Sequence, residues 1–181
     1  MEIKLVCFDL DGTINDGWTL VKPLADRLYR LRESGIKLAI ITGREAVATL
    51  FFVHRSGFPF DFIGCSGGPV IRDPLSKERV VDIFDDISTY GILRPGPKKH
   101  DRVGVVAGWC NLSPEEVLFI DDNDNGSLDT AKTLAGPPYK LGCPLTRNAE
   151  WRAGVLARGG LVSDEHCGLG TLEILNSVFG A

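Results

Sequence analysis

Continuous apolar runs that stop abruptly at a polar residue recur along this chain, with helix-forming segments between them, and that alternation sets its fold class. Leu5-Val6-Cys7-Phe8 stops at Asp9, Lys37-Leu38-Ala39-Ile40-Ile41 at Thr42, and Val117-Leu118-Phe119-Ile120 at Asp121-Asp122. A strand apolar at every position is buried on both faces, which calls for a parallel sheet covered by helices on each side. The intervening segments supply those helices. Leu24, Leu28 and Leu31 recur at i, i+4, i+7 behind Pro23, with Gly35 as the stop, and Glu45 to Arg55 reads as a helix closed by Gly57. Asp61-Phe62-Ile63 reads as a short third strand. A helix from Lys99 through Ala107, another around Leu128 to Leu134, a strand near Tyr139-Lys140-Leu141 and a helix near Gly170 to Phe179 complete the pattern. The predicted architecture is three layers, α/β/α, around a central parallel sheet.

In such sheets ligands bind beyond the carboxyl ends of the strands. Three of those ends carry Asp9 and Asp11, Thr42, and Asp121 and Asp122, so separate polar clusters are expected to converge at one edge. The spacing of Asp9 and Asp11 puts both side chains on one strand face. Like charges so placed are costly unless a cation or a shared proton offsets them, while Gly12 and Thr13 fit a turn whose N–H groups face an anion. A solvated acidic turn would explain the Asp-x-Asp pair alone; the convergence with a hydroxyl and a lysine favours a site.

At 181 residues the chain suits one domain. Residues 64–98 interrupt the rhythm with Gly67, Gly68, Pro69, Pro74, Pro95 and Pro97 around two β-rich runs, Val70-Ile71 and Val80 to Phe84, and read as a small insertion. A net charge of −4 and a pI near 5.4 argue against a broad nucleic-acid or acidic-membrane surface. Five widely spaced cysteines without a Cys-x-x-Cys pair suit a reduced compartment, and no run reaches the ~18 apolar residues of a membrane span. A cytoplasmic protein is expected. His54, His100 and His166 are scattered and read as structural or exposed.

Four motifs, Asp9-x-Asp11-Gly12-Thr13, Ile40-Ile41-Thr42-Gly43-Arg44, Lys99 opening a helix, and Phe119-Ile120-Asp121-Asp122, resemble in order and spacing those of the haloacid dehalogenase superfamily of phosphatases and phosphotransferases. The resemblance implies a Rossmannoid fold. It makes Asp9 the nucleophile that takes the phosphoryl group and Asp11 the general acid and base. It also implies Thr42 and Lys99 as the groups that neutralise the phosphate, with Gly12, Thr13, Gly43 and Arg44 beside them as substrate-binding residues. Arg44 reads equally as a surface residue at a helix start. Mg²⁺ is the implied cofactor, held by Asp9, the main-chain carbonyl of Asp11, and Asp122. These roles agree with the physics: a carboxylate attacking phosphorus splits one hard displacement into two easier ones, and the rest is positioning and charge neutralisation. Lys98 adjoins Lys99, and counting back from Ser113-Pro114-Glu115-Glu116 favours Lys99.

The fourth motif departs from the family pattern, because Gly126 stands where relatives carry a last acid; Asp121, Asn123 or Asp124 are the candidates to substitute. The same run imitates half of a calcium loop, but its twelfth position is Lys132 instead of Glu. Only 33 positions separate Asp9 from Thr42, too few for a large helical cap, and 57 separate Thr42 from Lys99, which leaves room for a miniature β element serving as partial lid or oligomer contact. The stretch from Asp11 to Gly17 resembles that of 3-deoxy-sugar-acid phosphate phosphatases. Trp18 is a candidate for the entrance, and residues 143–148 read as a connecting loop or a substrate loop. The expected function is hydrolysis of a small phosphate ester, of a sugar or sugar acid, with homo-oligomerisation left open. The alternatives are a phosphotransferase or mutase using the same residues, and a phospholigand-binding protein without turnover.

Overall fold

The computed structural model describes residues 2–15, 19–65, 70–72, 99–124 and 130–181. Seven strands form one sheet: β1 (Leu5–Phe8), β2 (Lys37–Ile41), β3 (Phe62–Gly64), β4 (Val70–Arg72), β5 (Val117–Ile120), β6 (Lys140–Cys143) and β7 (Leu161–Val162). Their order is β4-β3-β2-β1-β5-β6-β7. Six strands run parallel, and β4 is an antiparallel edge on β3. The chain thus places β1, which ends in the Asp-x-Asp motif, at the centre, with Thr42 and Asp121 arriving on its two neighbours.

Alternation along the strands divides the core in two. Val6 and Phe8 of β1, Leu38 and Ile40 of β2, and Leu118 and Ile120 of β5 face one layer, where they meet α1 (Lys22–Glu33), α2 (Ala46–Ser56) and α6 (Cys167–Phe179). Leu5, Cys7, Ala39, Ile41, Val117 and Phe119 face the other, against α3 (Lys99–Trp109) and α5 (Ala149–Ala157). The short α4 (Thr130–Ala135) packs beside α5. Pro23 sits in the first turn of α1, and Gly57 closes α2 in the left-handed conformation at φ +65°, as those residue types favour.

Two elements escape the sequence reading. Helix α5 has only Trp151 and Val155 buried and a glycine inside it, a weak periodic signal, although Asn148 caps it by accepting the Trp151 N–H at 3.0 Å. Strand β7 is two residues long. Of the expected insertion, Val70–Arg72 is a strand; the run from Val80 to Phe84 lies outside the described residues, as does Trp18. Among the described residues no helix is long and apolar enough to cross a membrane.

Candidate active site

The residue just past each strand end is held by a sheet hydrogen bond that runs one step beyond the strand. Asp9 N–H donates to the Ile120 carbonyl at 2.8 Å, Thr42 N–H to Gly64 at 2.8 Å and Asp121 N–H to Gly142 at 3.1 Å. Because Phe8 pairs with Ile120 in register, the next residues, Asp9 and Asp121, stand opposite each other and project toward the α3 layer. Carboxylates directly across neighbouring strands repel. Lys99, in the first turn of α3 and 2% exposed, offsets that repulsion: its Nζ lies 2.9 Å from Asp9 Oδ1 and 3.0 Å from Asp121 Oδ2. Lys98 lies outside the described residues.

Asp122 completes the cluster. One oxygen from each of Asp9, Asp121 and Asp122 falls within 4.8 Å of the others, and all three residues are buried. The Thr13 hydroxyl fixes Asp122 twice over, donating to Oδ1 at 3.0 Å and accepting the Asp122 N–H at 3.1 Å. Thr13 is therefore a support for Asp122 through its side chain. Thr171 of α6 donates to the Thr13 carbonyl at 2.6 Å and ties the turn to the far helix layer.

Gly12 has φ +77°, and a Cβ there would sit 2.3 Å from Asp122 Oδ2. Both facts demand glycine. Gly12→Ala is expected to push Asp122 out of the cluster and to lower divalent-cation affinity by tenfold or more, measured by titration calorimetry, with a smaller loss of thermal stability.

Asp11 is half-exposed and gripped by Arg44, whose Nε donates to Oδ2 at 2.5 Å while Nη2 donates to Oδ1; Asn15 Nδ2 adds a bond to Oδ1 at 3.1 Å. The Arg44 guanidinium is a fork on Asp11, just ahead of the start of α2. Its main-chain N–H also donates to Thr42 Oγ1 at 3.1 Å. Gly43, exposed between them, lets this loop lie at the rim.

The candidates to replace the missing acid separate cleanly. Asp121 is in the cluster. Asp124 points to the loop after β6, accepting from Thr146 Oγ1 at 2.8 Å and from the Arg147 N–H at 2.5 Å. Asn123, at φ +47°, donates its N–H to Asp121 Oδ1 at 2.7 Å and accepts Asn148 Nδ2 on its carbonyl at 3.0 Å. Trp151, unremarked in the sequence, donates Nε1 to the Asp121 carbonyl at 2.6 Å. Thr146, Arg147 and Asn148 thus brace the acidic loop, and the advance sign was a capping Asn followed by a tryptophan.

Three buried carboxylates and one ammonium leave an excess of negative charge. Burial, and then the neighbouring Asp121, raise Asp9 well above the usual carboxylate range despite Lys99, and burial with Asp121 pushes Asp122 up to about 6. Burial works against the Lys99 charge, but Asp121 and Asp9 outweigh it and hold the amine protonated. An all-oxygen donor set with about two uncompensated charges fits a hard divalent cation such as Mg²⁺.

Residues 6–95 match the family model of haloacid dehalogenase-like hydrolases. No curated protein matches the chain by sequence. Among solved structures, a haloacid dehalogenase-like hydrolase from Bacteroides thetaiotaomicron superposes with a TM-score of 0.68 at 15% identity, covering 98% of this chain and 100% of its own. The 3-deoxy-D-manno-octulosonate 8-phosphate phosphatase from Moraxella catarrhalis, solved with magnesium, phosphate and KDO, gives 0.60 at 15% identity over 97% and 85%. The cobalt-bound phosphatase of the same type from Haemophilus influenzae gives 0.59 at 13% identity over 98% and 87%. At these identities the likeness speaks for the fold.

Proposed function

Since this chain belongs to the haloacid dehalogenase-like hydrolases, we propose that it hydrolyses a small phosphate monoester, with Mg²⁺ as cofactor, through a phosphorylated Asp9. The observation that carries this reading is the Asp9 carboxylate at the centre of the carboxyl edge, 2.9 Å from a buried lysine and grouped with two further buried carboxylates. Lys99 supplies positive charge beside that carboxylate, and the remaining excess of negative charge is what a divalent cation would offset where a phosphate binds. The neighbouring phosphatases solved with magnesium or cobalt support the choice of a divalent cation.

In this mechanism an Asp9 oxygen forms a bond to phosphorus as the ester P–O bond breaks, and the departing alkoxide takes a proton from Asp11. Asp11 then accepts a proton from water as that water attacks phosphorus, releasing phosphate and restoring Asp9. Asp9, Asp122 and the Asp11 carbonyl, with Asp121 beside them, would hold the cation, which would supply charge neutralisation at the phosphoryl group. Thr42 and Lys99 orient the phosphoryl group, and the main chain around Gly12 and Gly43 lets it approach closely. Arg44 keeps Asp11 at the rim until substrate arrives.

The test is inorganic phosphate release from a panel of sugar, sugar-acid, nucleotide and aryl phosphates, with Mg²⁺ or chelator. Cation-dependent release is expected, strongest on small phosphorylated metabolites. Ligand-dependent thermal stabilisation with no release across the panel would instead mark a binding protein.

A further inference from the structure

Arg102 stands three residues after Lys99 on α3, and it is 3% exposed. Its stem crosses β3 where Gly64 has no side chain: a Cβ at Gly64 would lie 3.0 Å from Arg102 Cδ. Its Nη1 reaches the carbonyl of Thr42 at 3.5 Å, a long and weak bond. Among the described residues its buried Nε has no hydrogen-bond partner and no carboxylate forms an ion pair with it. The nearest thiol, Cys65, is pushed up to about 11 by burial and so stays neutral.

A guanidinium withdrawn from water needs an anion or several acceptors to offset its lost hydration, and one peptide carbonyl is not enough. An apolar residue of the same length would fill this space at lower cost. The group also lies against the carbonyl of the residue whose hydroxyl we assign to the phosphate, on the flank where β2 and β3 end. With Nη1 turned to Thr42, the edge carrying Nε is the one that suits a bidentate oxyanion.

We propose that Arg102 is a specificity-determining residue that binds a second anionic group of the substrate, a carboxylate or a second phosphate, so that the preferred substrates are phosphorylated acids or bisphosphates. The proposal rests on the phosphatase reading above. It extends that reading from the phosphoryl group, which every monoester shares, to the part of the substrate that differs.

The experiment compares wild type, Arg102→Gln, Arg102→Lys and Gly64→Ala on three Mg²⁺-supported substrate classes: phosphorylated acids (2-phosphoglycolate, 3-phosphoglycerate), a bisphosphate (fructose 1,6-bisphosphate) and neutral-leaving esters (glycerol 3-phosphate, p-nitrophenyl phosphate). In Arg102→Gln, kcat/KM on the anionic class that wild type prefers is expected to fall at least tenfold further than on the neutral esters, through KM. Arg102→Lys should recover part of the difference. Gly64→Ala, which crowds the arginine stem while keeping its charge, should erode the same preference. Whichever anionic class loses most identifies carboxylate or phosphate as the bound group. Equal losses on all classes, with altered kcat, would overturn the proposal and make Arg102 a support for Thr42. Equal retention on all classes would overturn it as well. Thermal shift with glycolate, D-glycerate and inorganic phosphate is read in parallel. A wild-type shift lost in Arg102→Gln supports the anion site even if no ester is turned over, and that pattern separates failure of the phosphatase reading from failure of this one. The absence of any shift together with equal kinetics rejects the site.

Discussion

Asp9→Asn is expected to abolish phosphate release, by about 10⁴-fold or more in kcat, while making the metal-free protein more stable. The first effect follows because an amide offers no anionic oxygen to attack phosphorus, and residues acting as a unit lose nearly all rate together. The second follows from the cluster: Asp9 is buried beside Asp121 and Asp122, and burial with the Asp121 charge already disfavours its ionised form. Removing one of three buried carboxylates relieves that repulsion and leaves Lys99 its bond to Asp121 at 3.0 Å. A rise of a few degrees in Tm without cation is the expected scale for about 1–2 kcal/mol in a domain of this size. Loss of rate accompanied by a fall in Tm would mean that Asp9 is chiefly structural. The two readouts, from one variant, distinguish a nucleophile held in an electrostatically costly place from an ordinary buried acid.

That cost was legible in outline from the sequence. The runs ending at Phe8, Ile41 and Ile120 were apolar at every position but the exposed Lys37 at the start of β2, which demands cover on both faces, and the two core layers divide their side chains alternately as required. The strand ends then dictate convergence, which groups Asp9, Thr42, Asp121 and Asp122 by sequence alone. Side-chain direction was less accessible. That Asp9 and Asp121 face α3 together depends on the register of β1 with β5, which no local pattern encodes. The engagement of Thr13 with Asp122 and of Arg44 with Asp11 joins residues 109 and 33 positions apart, for which spacing gives no sign. Helix α5 and strand β7 were missed because their burial comes from two residues and from edge pairing, and tertiary packing supplies what periodicity lacks. The bracing of Asp121 by Trp151 belongs to the same class.

The charge excess also makes stability depend on pH and cation in a way that can be signed. Asp122 is raised to about 6 from an ordinary 3.8, chiefly by burial and then by Asp121, and Asp9 is raised by the same two causes. The folded protein therefore binds these protons more tightly than the unfolded chain does. Without cation, stability must increase as pH falls through about 6, and the gain is complete once pH is below the unfolded value. The cation binds the ionised forms, so its stabilisation is largest above about 6 and shrinks as protons displace it below that pH. In chelator, Tm at pH 5.5 is expected to exceed Tm at pH 7.5; with millimolar Mg²⁺ the order should reverse, and phosphate release should disappear in chelator at every pH. Asp122→Asn should flatten the chelator curve and weaken the response to Mg²⁺, because it removes the titrating group and one ligand together. A metal-free protein that is most stable at pH 7.5, with an unchanged curve in Asp122→Asn, would show that the three carboxylates are not held against their repulsion and would remove the physical case for a divalent cation among them.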